Sequence, residues 1–210
     1  MSTLPEDVFS EPEDFSPDTL ANLGPLARLA GEWESDKGVD IAPKAAGPEQ
    51  RNFREHIRME PIDPQPNGPQ LLYGLRYHIH INTDEEAITF HDQVGYWLWE
   101  PATGMLIQTH TIPRGLTALA VGQATADARR FSVECRIGST VAGICSNPFL
   151  DAVKRTLEFR IAVQVHDDGS WSYEQDTVLQ FRWRDELFHH TDRNTLRKVA
   201  EPTPNWLMRR

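Results

Sequence analysis

The chain has 210 residues, 39% of them hydrophobic and 25% charged, a composition that is typical of one globular domain and excludes a disordered or fibrous protein. The 31 acidic residues outnumber the 21 basic ones, and the resulting net charge of -10 disfavours binding to nucleic acid or to an anionic membrane surface. Two cysteines form no disulfide framework, and the acidic N-terminus has no signal-peptide pattern, so we expect a cytoplasmic protein.

The N-terminal part of the chain predicts a flexible segment followed by a short helix. Residues 1–17 are acidic and contain several prolines and serines, which is typical of a flexible lead-in. Leucines then recur at helical spacing up to Leu29, and Pro25 divides the predicted helix into two short pieces. Gly31 ends the helix, and a different pattern begins at Trp33.

Beyond this helix the hydrophobic period changes to two, which predicts strands. The strand at 71–81 is the clearest, because its apolar face is opposite a polar face that carries His78 and His80. Predicted strands cover residues 53–59, 71–81, 90–100, 105–112, 116–124, 130–137, 154–166 and 171–184. Residues 61–69, which are rich in proline, predict a turn and no strand, and residues 186–198 predict a short turn or helix.

Short turns between the strands determine the expected fold class. Asp167-Asp168-Gly169 predicts a tight hairpin, and about ten strands in succession indicate an antiparallel meander that closes into a barrel. Several strands mix polar and apolar residues on both faces, which favours a lumen that holds a ligand. We therefore predict an all-β protein, a single closed antiparallel β-barrel with a short N-terminal helix, spanning residues 18–200 and followed by a C-terminal tail at 201–210.

Histidine pairs and aromatic residues are the candidate functional groups. His189 and His190 are adjacent, so in an extended chain one of them faces the lumen, where imidazole is a good ligand for haem iron. The alternative is that both are polar residues at the barrel mouth. His78 and His80 could share a metal ion, although a solvated outer face explains them better. An aromatic group that would suit a flat ligand comprises Trp33, Tyr96, Trp97, Trp99 and Trp183.

Three segments carry a resemblance to a known family. They are residues 29–33, residues 91–97 and residues 187–190, the last followed by Leu196-Arg197. In this order and spacing the chain resembles the nitrobindin family, also called the THAP4-like haem-binding β-barrels. The resemblance implies a ten-stranded barrel shaped like the fatty-acid-binding proteins. It also implies a haem b cofactor held by a histidine near the C-terminus, whose ferric form binds nitric oxide or isomerises peroxynitrite to nitrate.

The resemblance also assigns roles to individual residues. His190 is similar to the family's iron ligand, with His189 as the alternative because one extra residue separates this segment from Leu196. Asp192 or a backbone carbonyl could orient the imidazole of His190. His91 is similar to a pocket histidine of the family. Trp33 matches the tryptophan of a Gly-x-Trp-x-Gly-x-Gly motif, so it is expected among the cofactor-binding residues, buried where it closes the barrel floor. These assignments imply an enzyme, a peroxynitrite isomerase, only if haem is bound.

Departures from that motif leave two other functions open. Ser35 and Lys37 stand where the family has its second and third glycines. The barrel could instead be a non-enzymatic carrier of a hydrophobic ligand, of the lipocalin or fatty-acid-binding type, with Arg76 or Arg114 meeting a carboxylate head group. The third possibility is a cofactor-free barrel that serves as a scaffold.

Overall fold

Twelve strands and four short helices make up the part of the chain that the computed structural model describes, residues 7–83 and 90–210. The strands are β1 (Gly31–Lys44), β2 (Gly47–Pro61), β3 (Gln65–Asn67), β4 (Gln70–Asn82), β5 (His91–Glu100), β6 (Met105–Ile112), β7 (Leu116–Gln123), β8 (Arg130–Arg136), β9 (Ile144–Ser146), β10 (Lys154–Val165), β11 (Trp171–Phe181) and β12 (Phe188–Ala200). The helices are α1 (Thr19–Asn22), α2 (Pro148–Val153) and 3₁₀ helices at Gly24–Leu29 and Trp206–Arg209.

Ten of these strands form a closed antiparallel barrel, as predicted. Their order in the sheet is β2-β1-β12-β11-β10-β8-β7-β6-β5-β4, and β2 also pairs with β4, which closes the ring. Closure leaves no long free edge, so every long strand has two neighbours. The short strands β3 and β9 lie outside the ring, paired with β4 and β7. No helix among the described residues is long and apolar enough to cross a membrane.

Strand β12 corrects the prediction of a turn or helix at 186–198. It pairs with β1 on one side and with β11 on the other, so it completes the barrel. The sequence did not show the alternation expected of a strand, because three of the four inward positions are polar. These positions are His190, Asp192, Asn194 and Leu196. Strand β3 likewise corrects the prediction of a turn without a strand at 61–69, although it is only three residues long.

The turn between β10 and β11 confirms the predicted hairpin. The backbone N–H of His166 donates to the carbonyl of Ser170 at 2.9 Å, which encloses Asp167, Asp168 and Gly169. Gly169 has a φ of +84°, a left-handed conformation that glycine adopts without strain.

The N-terminal helices close one end of the barrel. Asp18 caps α1 by accepting a hydrogen bond from the N–H of Ala21, and the following turns bury leucines such as Leu26 and Leu29 completely. Trp33 lies beneath them with no exposed surface. Its indole N–H donates to the carbonyl of Leu29 at 2.8 Å, and its ring packs edge-on against Trp171 with centroids 5.9 Å apart. This apolar layer is the floor of the barrel.

The chain termini are attached to the same end. Asn205 is fully buried, and its amide donates to the carbonyl of Pro17 at 2.9 Å and to Asp63 at 2.8 Å. Its side-chain oxygen accepts from the N–H of Thr19 at 3.2 Å. These bonds hold the C-terminal tail against the start of α1. Residues 1–6 of the expected acidic lead-in lie outside the described residues.

Trp33→Ala should lower the free energy of unfolding by about 3–5 kcal/mol, because it leaves a cavity in a packed floor and removes a buried hydrogen bond. Trp183 is 80% exposed and provides the matched control, for which we expect a change below about 1 kcal/mol. Urea unfolding followed by circular dichroism measures both. Equal losses for the two variants would contradict the placement of Trp33 in the floor.

Candidate functional site

The barrel encloses a cavity of about 300 Å³ that opens at the end opposite the helical floor. Its deep walls are apolar and include Ile57, Met59, Trp97 and Trp171. Towards the mouth the lining becomes polar, with histidines, carboxylates and two basic side chains. A concave apolar pocket with a few convergent polar groups is the usual form of a small-molecule site.

A bulge in β1 determines which side chains of this strand face the cavity. Between Ser35 and Gly38 the strand carries one more residue than its neighbours β2 and β12. An extra residue reverses the alternation of side chains, so both Trp33 and Asp40 point inward although their numbers differ in parity. Gly38 allows the bulge to pack, because a Cβ there would lie 2.2 Å from the ring of Phe53.

His190 is held at the cavity wall by two carboxylates. Its Nε2 lies 2.7 Å from Oδ1 of Asp40 and 3.9 Å from Oδ1 of Asp192. Asp40 is fully buried, whereas the imidazole keeps 27% of its side-chain surface exposed on the cavity side. Asp40 and Asp192 are directly opposite in the pairing of β1 with β12, and His190 is two residues from Asp192 on the same face. The backbone register therefore brings the three groups together.

Burial and pairing act in opposite directions on these three groups. Burial opposes ionisation of Asp40, but its hydrogen bonds with His190 and Asp192 and the positive charge of His190 outweigh burial and lower the pKa of Asp40 below its ordinary value. Burial also opposes the charged imidazole, yet the two carboxylates raise the pKa of His190. For Asp192 burial dominates and raises the pKa to about 7. His190 and Asp40 thus form a buried ion pair beside a carboxyl group that holds its proton near neutral pH.

Deeper in the lumen lies a second buried carboxyl group, Glu55. It accepts hydrogen bonds from the hydroxyl of Tyr173 at 3.0 Å and from the amide of Asn194 at 2.7 Å. Burial raises the pKa of Glu55 to about 7 despite these two bonds. Glu55, Asp192 and Asp40 therefore line one side of the cavity with three carboxyl groups from three adjacent strands.

Two further histidines line the cavity. His91 at the start of β5 lies 3.3 Å from Oε1 of Gln93 through its Nε2, and burial lowers its pKa. His110 on β6 packs against the ring of Phe159 with centroids 4.6 Å apart. Burial, and then the proximity of His91, lower the pKa of His110 to about 4. Both rings are therefore neutral donors at physiological pH, in contrast to His190.

Unpaired polar atoms mark the cavity as a place for a ligand or for ordered water. Six buried side-chain atoms of the described residues have no hydrogen-bond partner, and four of them belong to residues that line the cavity. These four are Oδ2 of Asp40, Oε1 of Gln108, Nδ1 of His110 and Nε1 of Trp171. Because buried polar atoms are nearly always paired in folded proteins, their concentration here indicates that something polar completes the site.

Two basic side chains flank the mouth. Arg114 donates from Nη2 to the carbonyl of Phe90 at 2.9 Å, and Lys154 lies over the ring of Phe181 at 5.8 Å. Burial, and then the charge of Arg114, lower the pKa of Lys154. Arg76, the other basic residue predicted to meet a head group, is instead on the outer face and bonds Glu60 at 2.9 Å. Its proposed contact with a ligand is therefore wrong, because its side chain points away from the lumen.

The other sequence-predicted residues are divided between the two faces of the barrel. His189 points outward and lies 2.7 Å from Oδ2 of Asp176, whereas His190 and His91 line the cavity. Trp33 is not among the lining residues of the cavity, but it packs edge-on against Trp171, which is one of them. His78 and His80 are on the exposed outer face, as the apolar stripe of β4 predicts.

Sequence reasoning missed Asp40, Glu55 and His110 as site residues, and it predicted Asp192 only as a group that could orient His190. The extra residue of the bulge interrupts the alternation of inward and outward side chains along β1. The sequence pattern therefore does not indicate that Asp40 points inward. Asp192 and Glu55 lie in strands whose inward positions are partly polar, and a polar residue in such a strand is ordinarily assigned to solvent. His110 stands alone in the sequence, and no neighbouring residue indicates a role for it.

Comparison with known proteins assigns the family. The family model of the "THAP4-like, heme-binding beta-barrel domain" matches residues 22–198. The chain belongs to this family. The fold is also similar to the crystal structure of Rv2717c from M. tuberculosis, with a TM-score of 0.58 and 17% sequence identity over 89% of this chain and 99% of that one. Among curated proteins no sequence matches the chain.

The donor set of the cavity fits a haem ligand with one rearrangement. It offers an imidazole on the last strand, apolar deep walls for a porphyrin face, and two cations at the mouth for carboxylates. Asp40 holds Nε2 of His190 at 2.7 Å, so coordination of iron through this nitrogen requires the ring to leave Asp40. The family glycines replaced by Ser35 and Lys37 lie at the bulge in β1, on the side of the barrel that carries Asp40.

Glu55→Gln tests the buried carboxyl group through the pH dependence of stability. The pKa of Glu55 is about 7 in the folded protein and 4.5 ordinarily. Between these values the folded protein binds a proton that the unfolded chain has released, so the contribution of Glu55 to stability is lost as the pH rises.

From pH 5 to pH 8 the variant should therefore gain about 3 kcal/mol relative to wild type, as measured by urea unfolding at each pH. If the difference in free energy of unfolding between the variant and wild type does not change with pH, the raised pKa of Glu55 is contradicted.

Proposed function

We propose that this barrel binds haem b at the described cavity, where His190 would hold the iron. The observation that carries the proposal is the direction of the two adjacent histidines, since His190 lines the cavity and His189 faces solvent. Membership of the THAP4-like haem-binding family supports a haem ligand. The lining of the cavity supports it independently, through its neutral imidazoles and apolar walls.

Each side chain at the cavity has a defined task in this proposal. His190 provides the ligand nitrogen, and Arg114 and Lys154 provide positive charge for the two propionates at the mouth. His91 and His110 lie inside as uncharged polar groups, because burial lowers the pKa of each. Trp33 contributes through the floor by packing against Trp171, which lines the cavity.

The proposed activity is nitric oxide binding or the isomerisation of peroxynitrite to nitrate. Bound ferric haem would supply an open iron position for these small nitrogen oxides. The chain itself would orient the ligand with His91 and His110 and keep bulk water out with walls such as Phe159 and Ile161. The protein would then be a peroxynitrite isomerase.

Two histidine variants test the proposal. Haem titration of the purified protein should give a Soret band, and His190→Ala should lower the affinity at least about tenfold, whereas His189→Ala should leave the band nearly unchanged. Stopped-flow decay of peroxynitrite, with the nitrate yield measured, should follow the same order. If the two effects are exchanged, His189 is the ligand. If neither variant changes the spectrum, or wild type takes up no haem, the haem proposal is wrong.

A carrier of an anionic amphiphile is the second candidate, favoured by the basic mouth over an apolar interior. A fatty acid would place its chain among Ile57, Met59 and Trp97 and its carboxylate between Arg114 and Lys154. This arrangement uses the same charges that would meet haem propionates. It needs no contribution from His190.

Arg114→Gln should weaken binding of a fluorescent fatty acid by about tenfold through loss of a charge-assisted contact. Arg76→Gln removes the same charge from the outer face and should leave the affinity unchanged, which makes it the matched control. Fluorescence titration measures both, together with mass spectrometry of lipid that co-purifies with the protein. Equal effects of the two variants would exclude the mouth as the head-group site.

A further inference from the structure

We propose that Asp40, His190 and Asp192 form a binding site for a divalent transition-metal cation of the Zn²⁺ class. The site shares the imidazole of His190 with the proposed haem site but adds two protein carboxylates as ligands. Binding of the cation by His190 is an alternative to binding of haem iron, and it does not require that the protein bind haem. The ligand class follows from the donors, since imidazole nitrogen with carboxylate oxygen is a common zinc set.

The distances between the three donor atoms already approach those of a metal site. Nε2 of His190 lies 2.7 Å from Asp40 Oδ1 and 3.9 Å from Asp192 Oδ1, and all three donors lie within 4.8 Å of one another. A tetrahedral zinc ion with bonds of about 2.0–2.1 Å holds its ligand atoms about 3.3 Å apart. The two distances from Nε2 therefore each differ from this ligand spacing by about 0.6 Å.

An unpaired atom gives independent support for a ligand at this position. Oδ2 of Asp40 is buried and has no hydrogen-bond partner, although Asp40 itself has no exposed surface. A carboxylate buried in this way is costly unless a cation or a donor reaches it. His190 bonds the other oxygen, Oδ1, so a cation that Asp40 bound through both oxygens would also satisfy Oδ2.

The position of the site in the barrel leaves room for further ligands. The carboxylates come from opposite residues of β1 and β12, and His190 follows on the same face, so all three donors lie on a rigid sheet. The cavity borders His190 and Asp192, which leaves the remaining coordination positions for water or a small ligand. Gln175 donates to Oδ2 of Asp192 at 3.0 Å and orients this carboxylate from behind.

The surrounding charges make this a site of moderate affinity. Arg51 and Lys154 lie close enough to Asp40 to interact with its charge, and both oppose a bound cation. Glu55 lies close enough to Asp192 to interact with its charge, and the carboxylate of Glu55 favours a bound cation. Haem iron and the carboxylate-bound cation both require the nitrogen that Asp40 now holds, so the two ligands exclude each other.

Isothermal titration with ZnCl₂ tests the site in tag-free, chelator-stripped protein. The background carries His78→Gln and His80→Gln, because these exposed histidines converge on Asp92 and could bind zinc on their own. We expect one site per chain with a Kd below about 100 µM, weakened at least about tenfold by Asp192→Asn and by His190→Gln. Asp176→Asn alters the exposed pair between β11 and His189 of β12, outside the barrel, and should leave the Kd unchanged.

The proposal would be overturned by a Kd above about 100 µM in the background protein. It would also be overturned by equal zinc affinities of the Asp192→Asn and Asp176→Asn variants. Cobalt gives a second measurement that needs no cavity variant. Bound Co²⁺ should show visible absorption bands stronger than those of the hydrated ion, because few-coordinate nitrogen and oxygen ligands replace six waters. A spectrum identical to that of hydrated Co²⁺ would also overturn the site.

A haem titration with and without zinc separates this inference from the proposed function. At a free zinc concentration ten times its Kd, competition should lower the apparent haem affinity about tenfold. Equal haem affinity with and without zinc would contradict the shared imidazole and overturn the proposal. If stripped protein takes up no haem at all, the haem proposal fails, and the zinc titration alone decides the metal site.

Discussion

The antiparallel pairing of β1 with β12 is the constraint on which both the barrel and the cavity depend. It joins the first long strand to the last and places Asp40 directly opposite Asp192. Without the bulge after Ser35, the same pairing would close the barrel but turn Asp40 outward. Closure and the position of the bulge therefore act together, and they place the His190 cluster at the cavity wall.

The polar lumen has a physical cost that argues for a ligand. Carboxyl groups such as Asp40, Glu55 and Asp192 lose hydration on burial, and pairing recovers only part of that loss. A barrel that served only as a scaffold would be more stable with apolar side chains at these positions. The retained polarity, together with unpaired atoms on His110 and Gln108, favours a binding function for the cavity.

The fold could be predicted from the sequence where strands have one apolar face. The stripe of β4 and the hairpin at Gly169 are local patterns, and local patterns with short turns indicate an antiparallel meander. The prediction failed at β12 because its inward residues are polar. It also gave no sign of α2 or β9, which are too short for a periodic signal.

By itself the sequence determined the barrel class, the short N-terminal helix and the family resemblance, because these depend on hydrophobic period, turn residues and short motifs. Only the tertiary structure decided that His190 faces inward and His189 outward. It also brought Asp40 to His190 across 150 positions of sequence. The physical reason is that side-chain direction depends on strand register and on the bulge, and both arise from pairing between strands that are remote in the chain.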